Sequence, residues 1–130
     1  MSLRYNFISA FFGRVETHLS RNDFMSDIFK AAFIFVAPGA DPAKHASWVK
    51  TDNVHVKMIA VSNYQQGCEI LDELHREGIQ AIELCAGFGH LGVASMVKAA
   101  AGRMLIGVVR FDQHPCLGNV SGDTFSSLPS

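Results

Sequence analysis

Ala31-Ala32-Phe33-Ile34-Phe35-Val36 is an apolar run with no polar member, and it closes at Pro38-Gly39. A strand with water on one face alternates apolar and polar residues, so an uninterrupted run of this length describes a strand covered on both faces, as in a parallel sheet. Parallel neighbours need crossover connections, which are usually helices. The chain downstream supplies them. Asp41-Pro42 puts a capping side chain before a proline at the first helical position, predicting a short helix anchored by Trp48 and Val49 and stopped at Asp52-Asn53. Val54 to Val61 reads as a second strand, with His55 and Lys57 on one face and Val56 and Met58 on the other. Ser62-Asn63 offers N-cap oxygens, and Cys68, Ile70, Leu71 and Leu74 form a helical stripe ended by Gly78. Ile79 to Leu84 predicts a third strand. The glycine-rich turn Cys85-Ala86-Gly87-Phe88-Gly89-His90 follows, then a helix burying Leu91, Ala94, Val97 and Ala101 and ended by Gly102. Met104 to Val109 completes the series as a fourth strand.

The predicted fold class is therefore α/β, a βαβαβαβ chain whose right-handed crossovers build a small, mostly parallel sheet of about four strands with packed helices, flavodoxin-like in shape. The domain is placed at residues 25–116. Residues 1–24 read as an N-terminal extension, either helical or foreign to the natural protein, carrying Tyr5, Phe7, Phe11 and Phe12 with Met25 behind it as a second start. Residues 117–130 are rich in glycine and serine and read as a loose tail.

At 130 residues and 48% hydrophobic composition, one core is expected. Eleven basic residues against twelve acidic ones leave no single-sign field for nucleic acid, and no apolar run approaches the roughly 18 residues a membrane span needs. Three cysteines without a CxxC spacing suit reduced thiols, which points to a cytoplasmic protein.

Ligands in open parallel sheets bind beyond the carboxyl ends of the strands, which directs attention to the glycine turn. Gly87-Phe88-Gly89-His90-Leu91-Gly92 spells GxGxxG between a strand and a helix, where backbone amides approach an anion closely. Asp112 stands where a dinucleotide fold keeps an acid for ribose, but only one strand follows the turn, so a complete Rossmann domain does not fit and no cofactor is expected. Gly87, Phe88, Gly89, His90, Arg110, Asp112 and Asn63 are the candidate ligand contacts for a small anionic molecule. The alternative for the glycines is purely conformational.

Glu83 interrupts an apolar strand. It either fixes register by pairing with Arg110 or Lys57, or acts as a base or ligand contact. Cys85 lies two residues on, on the same face, and a thiol before a helix N-terminus is a candidate nucleophile with His90 or His114 as base. Cys85, Glu83 and His90 are thus the candidate catalytic residues, and a small buried hydrophobe is the competing reading of Cys85. The spacing of His90, His114, Cys116 and Asp112 matches no standard metal site, and none is expected.

Three blocks together, Ala31 to Pro42, Ile82-Glu83-Leu84-Cys85-Ala86-Gly87-Phe88-Gly89 and Gly107-Val108-Val109-Arg110-Phe111, resemble a family of small uncharacterised bacterial α/β proteins, a domain of unknown function. The resemblance spans about residues 28–115, implies a compact bacterial domain and transfers no catalytic role. Ala86 stands where relatives are expected to carry glycine. Three readings remain open: binding of a small anion at residues 85–90, Cys85-dependent acyl transfer or isomerisation, and an assembly module without a catalytic site. In the last, a homodimer shields the sheet edges and the N-terminal aromatics with Trp48 supply contact area.

Overall fold

The computed structural model describes residues 27–125. Five strands form one sheet: β1 (Phe29–Val36), β2 (Ala46–Lys50), β3 (Val54–Val61), β4 (Ala81–Leu84) and β5 (Leu105–Val108). Three helices accompany them: α1 (Tyr64–Glu69), α2 (Leu71–Arg76) and α3 (His90–Ala100). The strand order is β2-β3-β1-β4-β5. β3, β1, β4 and β5 run parallel, and β2 lies antiparallel on the outer edge of β3. The fold is α/β as the sequence implies, with a fifth strand that the sequence pattern does not announce.

That fifth strand replaces the short helix expected after Asp41. Asp41 does cap a turn, its Oδ1 accepting from the Ala43 amide at 2.9 Å and its carbonyl from the amides of Lys44 and His45. The turn stops there because the Ala60 amide donates to the His45 carbonyl and starts the ladder between β2 and β3. Ser47, Trp48 and Val49 then continue it opposite Met58, Lys57 and Val56. Pairing with a neighbouring strand outweighs the local helix signal.

The helix expected over residues 63–77 forms as two segments meeting at Ile70, and Gly78, at φ +88°, ends the second as its sequence position suggests. The connections β3 to β4 and β4 to β5 cross the sheet in one direction, so right-handed crossovers put all three helices on one face. Ala32, Ile34, Ile59, Val61, Ile82 and Leu84 point to that face and meet Tyr64, Leu71, Leu74, Met96 and Ala100 from the helices. Each fully buried aliphatic here contributes about 1.5–3 kcal/mol. In α3 the buried positions are Gly92, Met96 and Ala100, whereas Leu91 and Val97, expected to be buried, are 54% and 51% exposed. The phase is set by close packing of Gly92 on Tyr64, which the hydrophobic pattern does not register.

The other face of the sheet carries no described helix. Its cross-strand rows run Val49, Val56, Ala31, Ala81, Leu105 and then Ser47, Met58, Phe33, Glu83, Gly107, with Val54 beside Phe29 at one end and Ala60 beside Phe35 at the other. In a doubly wound fold the first crossover helix covers this side. Here that connection is β2, which extends the sheet instead of covering it. Among the described residues helices cover one face of β1, where Ala32 and Ile34 are buried; on the other face Phe29 is exposed and Phe33 and Phe35 are half-buried, with the small Ala31 buried between its neighbours.

Residues 117–125, which the composition marks as part of a loose tail, are folded. His114 pairs with Val120 across a short 3-10 turn (Pro115–Leu117), and a second 3-10 turn (Gly122–Phe125) reaches back to the glycine turn. The expected extension at residues 1–24 lies outside the described residues.

Candidate functional site

The strand order reverses direction between β1 and β4, and the glycine turn leaves β4 at that point, where open α/β sheets place ligands. The Cys85 amide donates to the Ile34 carbonyl, and the Phe88 amide closes the turn on the Cys85 carbonyl at 3.0 Å. Gly89 is the N-cap of α3 and has no side-chain oxygen to satisfy the first amides of the helix. Asp123 satisfies them from outside. Its Oδ2 accepts from the Leu91 amide at 3.1 Å and its Oδ1 from the Gly92 amide at 3.3 Å. A carboxylate at a helix N-terminus also complements the helix dipole.

Tyr64 ties this arrangement to the core. Its ring stacks on Phe88 with centroids 5.2 Å apart, and its hydroxyl accepts from the Gly89 amide at 2.9 Å. The single hydroxyl proton is shared between the Gly87 carbonyl at 3.2 Å and Asp123 Oδ1 at 3.1 Å. A Cβ on Gly89 would stand 2.3 Å from the Asp123 carboxyl carbon, one on Gly92 2.5 Å from the Tyr64 ring, and one on Gly122 2.0 Å from the Gly87 carbonyl oxygen. Gly89 and Gly92 are thus required by the approach of Asp123 and Tyr64. The amides expected to hold an external anion hold a carboxylate of the same chain.

Burial pushes the Tyr64 hydroxyl up from its ordinary value near 10 to about 12; the Asp123 charge adds to the rise, while the Gly89 amide opposes it. A folded-state value above the unfolded one means that the associated stability is complete below the unfolded value and is lost as pH rises through the folded one. Stability is therefore expected to fall between about pH 10 and pH 12. The chain has two tyrosines, so phenolate absorbance in a Tyr5→Phe background reports Tyr64 alone. A midpoint near 10 with no alkaline loss of stability contradicts this assignment.

The remaining sequence candidates separate into three groups. Phe88 is 3% exposed and belongs to the core, and Asn63 caps α1 by accepting from the Gln66 amide at 2.8 Å. His90, Arg110 and Asp112 come together on the surface: Arg110 bonds Asp112 through Nε and Nη2 at 2.7–2.8 Å, and Nη2 also meets His90 Nε2. Cys85 is half-buried, its Sγ accepting from the Gly87 amide at 3.2 Å. No described contact joins it to a histidine, since His114 accepts from the Cys116 amide through Nδ1. Glu83 is not buried and not paired with either expected partner. It is exposed on the uncovered face, while Lys57 pairs with Glu77 at 2.8 Å on the helical side and Arg110 with Asp112. A strand with one open face can carry a solvated carboxylate, which removes the need for a buried partner.

Sequence reasoning misses Asp123, which lies in a segment whose composition reads as tail, and takes Tyr64 with Asn63 as residues that open a helix beside the proposed crevice, contacts of second rank. The one local signal for Asp123 is the glycine before it, Gly122, and glycine is ordinary in any polar turn. Among the described residues no cluster of three metal-ligating side chains forms.

No curated protein matches this chain. No solved structure matches it either. A family model does, over residues 29–124, from the first residue of β1 to one short of the last described residue, and so including the segment that carries Asp123. The chain belongs to that family, a family of unknown function designated DUF6506.

Proposed function

We propose that this domain is an assembly module that pairs with a second copy through the uncovered face of its sheet. The observation that carries this reading is the composition of that face: among its ten positions in the two central rows, eight are apolar or glycine, and the exceptions are Ser47 and Glu83. Met58 is 42% exposed and Leu105 76%. With Val49 at 65%, Phe29 at 45% and Val54 at 37%, exposed apolar side chains run across this face from edge to edge, the kind of contiguous patch that marks a protein contact. Trp48 does not join it: the residue pairs with Lys57 on the helical side, with the Lys50 and Lys57 ammonium groups 5.4 and 5.7 Å from its ring.

The glycine turn supports external anion binding less well, because Asp123 already satisfies the α3 amides. Nucleophilic use of Cys85 is likewise less supported, because both candidate bases are engaged elsewhere. Sedimentation equilibrium of the full chain, and of the chain without residues 1–26, tests the assembly reading. The expected result is a dimer in both, weakened at least about 100-fold by Met58→Glu, which puts a charge in the centre of the buried patch. Monomers in both at high micromolar concentration overturn it. Dimerisation only after removal of residues 1–26 also overturns it, since that segment would then be the occupant of the face.

A further inference from the structure

The two central rows of the uncovered face contain one charge, and its position suggests a control on association. Glu83 stands between Phe33 on β1 and Gly107 on β5, with Ala81 as its same-face neighbour along β4. No other titratable group stands in these rows among the described residues, since Cys85 packs against the core on the helical side, and no described hydrogen bond or ion pair reaches the Glu83 carboxylate. The nearest cations by sequence register are committed elsewhere: Lys57 is bound to Glu77 on the opposite face and Arg110 to Asp112. Lys30 also points to the opposite side, where its ammonium donates to the Glu77 carbonyl at 3.3 Å.

We infer that Glu83 limits the pairing of two copies and makes it pH-dependent, because each copy must take this carboxylate out of water to bury the apolar rows around it. This rests on the assembly reading above. Removing a solvated charge to an apolar contact is strongly unfavourable unless a partner charge meets it, and among the described residues neither face brings one. The protonated carboxyl lacks that penalty, so the proton-bound form associates more tightly and falling pH favours the dimer. A carboxylate at this position also discourages the indiscriminate association that an open apolar sheet face otherwise invites.

The test is the dimer dissociation constant of the full chain by sedimentation equilibrium at about pH 8 and about pH 5, two values that bracket ionised and increasingly protonated carboxyl groups. The wild type is expected to associate at least about tenfold more tightly at the lower pH, whereas Glu83→Gln is expected to be tight at both and to lose that dependence. A Glu83→Gln variant with the wild-type constant and pH slope overturns the inference, and if Met58→Glu still breaks the dimer, the assembly reading survives it. Weaker association of Glu83→Gln also overturns it, because the carboxylate would then be paired with a cation across the interface. A wild type that is monomeric at both pH values, with or without residues 1–26, removes the assembly reading and this inference together.

Discussion

Gly122→Ala is expected to release the C-terminal segment from the glycine turn and to lower stability by about 2–3 kcal/mol, the sum expected for losing a helix cap and leaving a buried hydroxyl poorly bonded. The added Cβ would lie 2.0 Å from the Gly87 carbonyl oxygen, 2.9 Å from its carbon and 3.0 Å from the Tyr64 hydroxyl. Two of those atoms are backbone in a turn fixed by the Cys85 amide on β1, so the Gly122–Phe125 segment must be the part that moves. Its departure takes Asp123 from the amides of Leu91 and Gly92. Urea denaturation measures the loss, and hydrogen exchange at those two amides locates it. Unchanged stability with unchanged protection of both amides would show that the segment does not bear on the turn.

The second large effect is expected at Gly92, where alanine normally favours a helix. The Cβ would stand 2.5, 2.7 and 2.8 Å from three atoms of the Tyr64 ring. The ring cannot swing away easily, because it is 5% exposed, stacked on Phe88 and held by its hydroxyl. Overpacking of this kind costs about 1–3 kcal/mol, more than the ~1 kcal/mol of helix propensity that alanine gains over glycine. Gly92→Ala alone is therefore expected to be destabilising, and in a Tyr64→Ala background it is expected to be neutral or stabilising. Equal effects in both backgrounds would sink the argument, since a clash with one ring cannot persist when the ring is gone.

What the residues make legible is the pattern that repeats within one element. The apolar run at β1, the alternation in β3 and the glycine after α2 are all local, and all three correspond to strands and a helix end in the fold. The departures share a cause. β2 is hidden because Asp41-Pro42 is a genuine turn signal whose continuation is decided by β3, a partner across the sheet. The run at β1 implies cover on both sides, and with it a buried Glu83, yet among the described residues the helices lie on one side only. The site is the least legible part. GxGxxG is visible as spacing, but the reason for Gly89 and Gly92 lies in Asp123 and Tyr64, residues that approach through the fold and leave no mark near the motif.

The bond between Tyr64 and Asp123 joins residues 59 positions apart, and those from Asp123 to the start of α3 join residues about half as far apart. Contacts across such separations form late, after the intervening loops have been closed by nearer pairings. The chain between them contains β4, α3 and β5, so the sheet can assemble while the first turn of α3 is still open to water. In time rather than in space, the glycine turn is then the last part of the domain to become native: a kinetic probe on Tyr64 should report completion after probes on Ile34 or Leu84 have already settled.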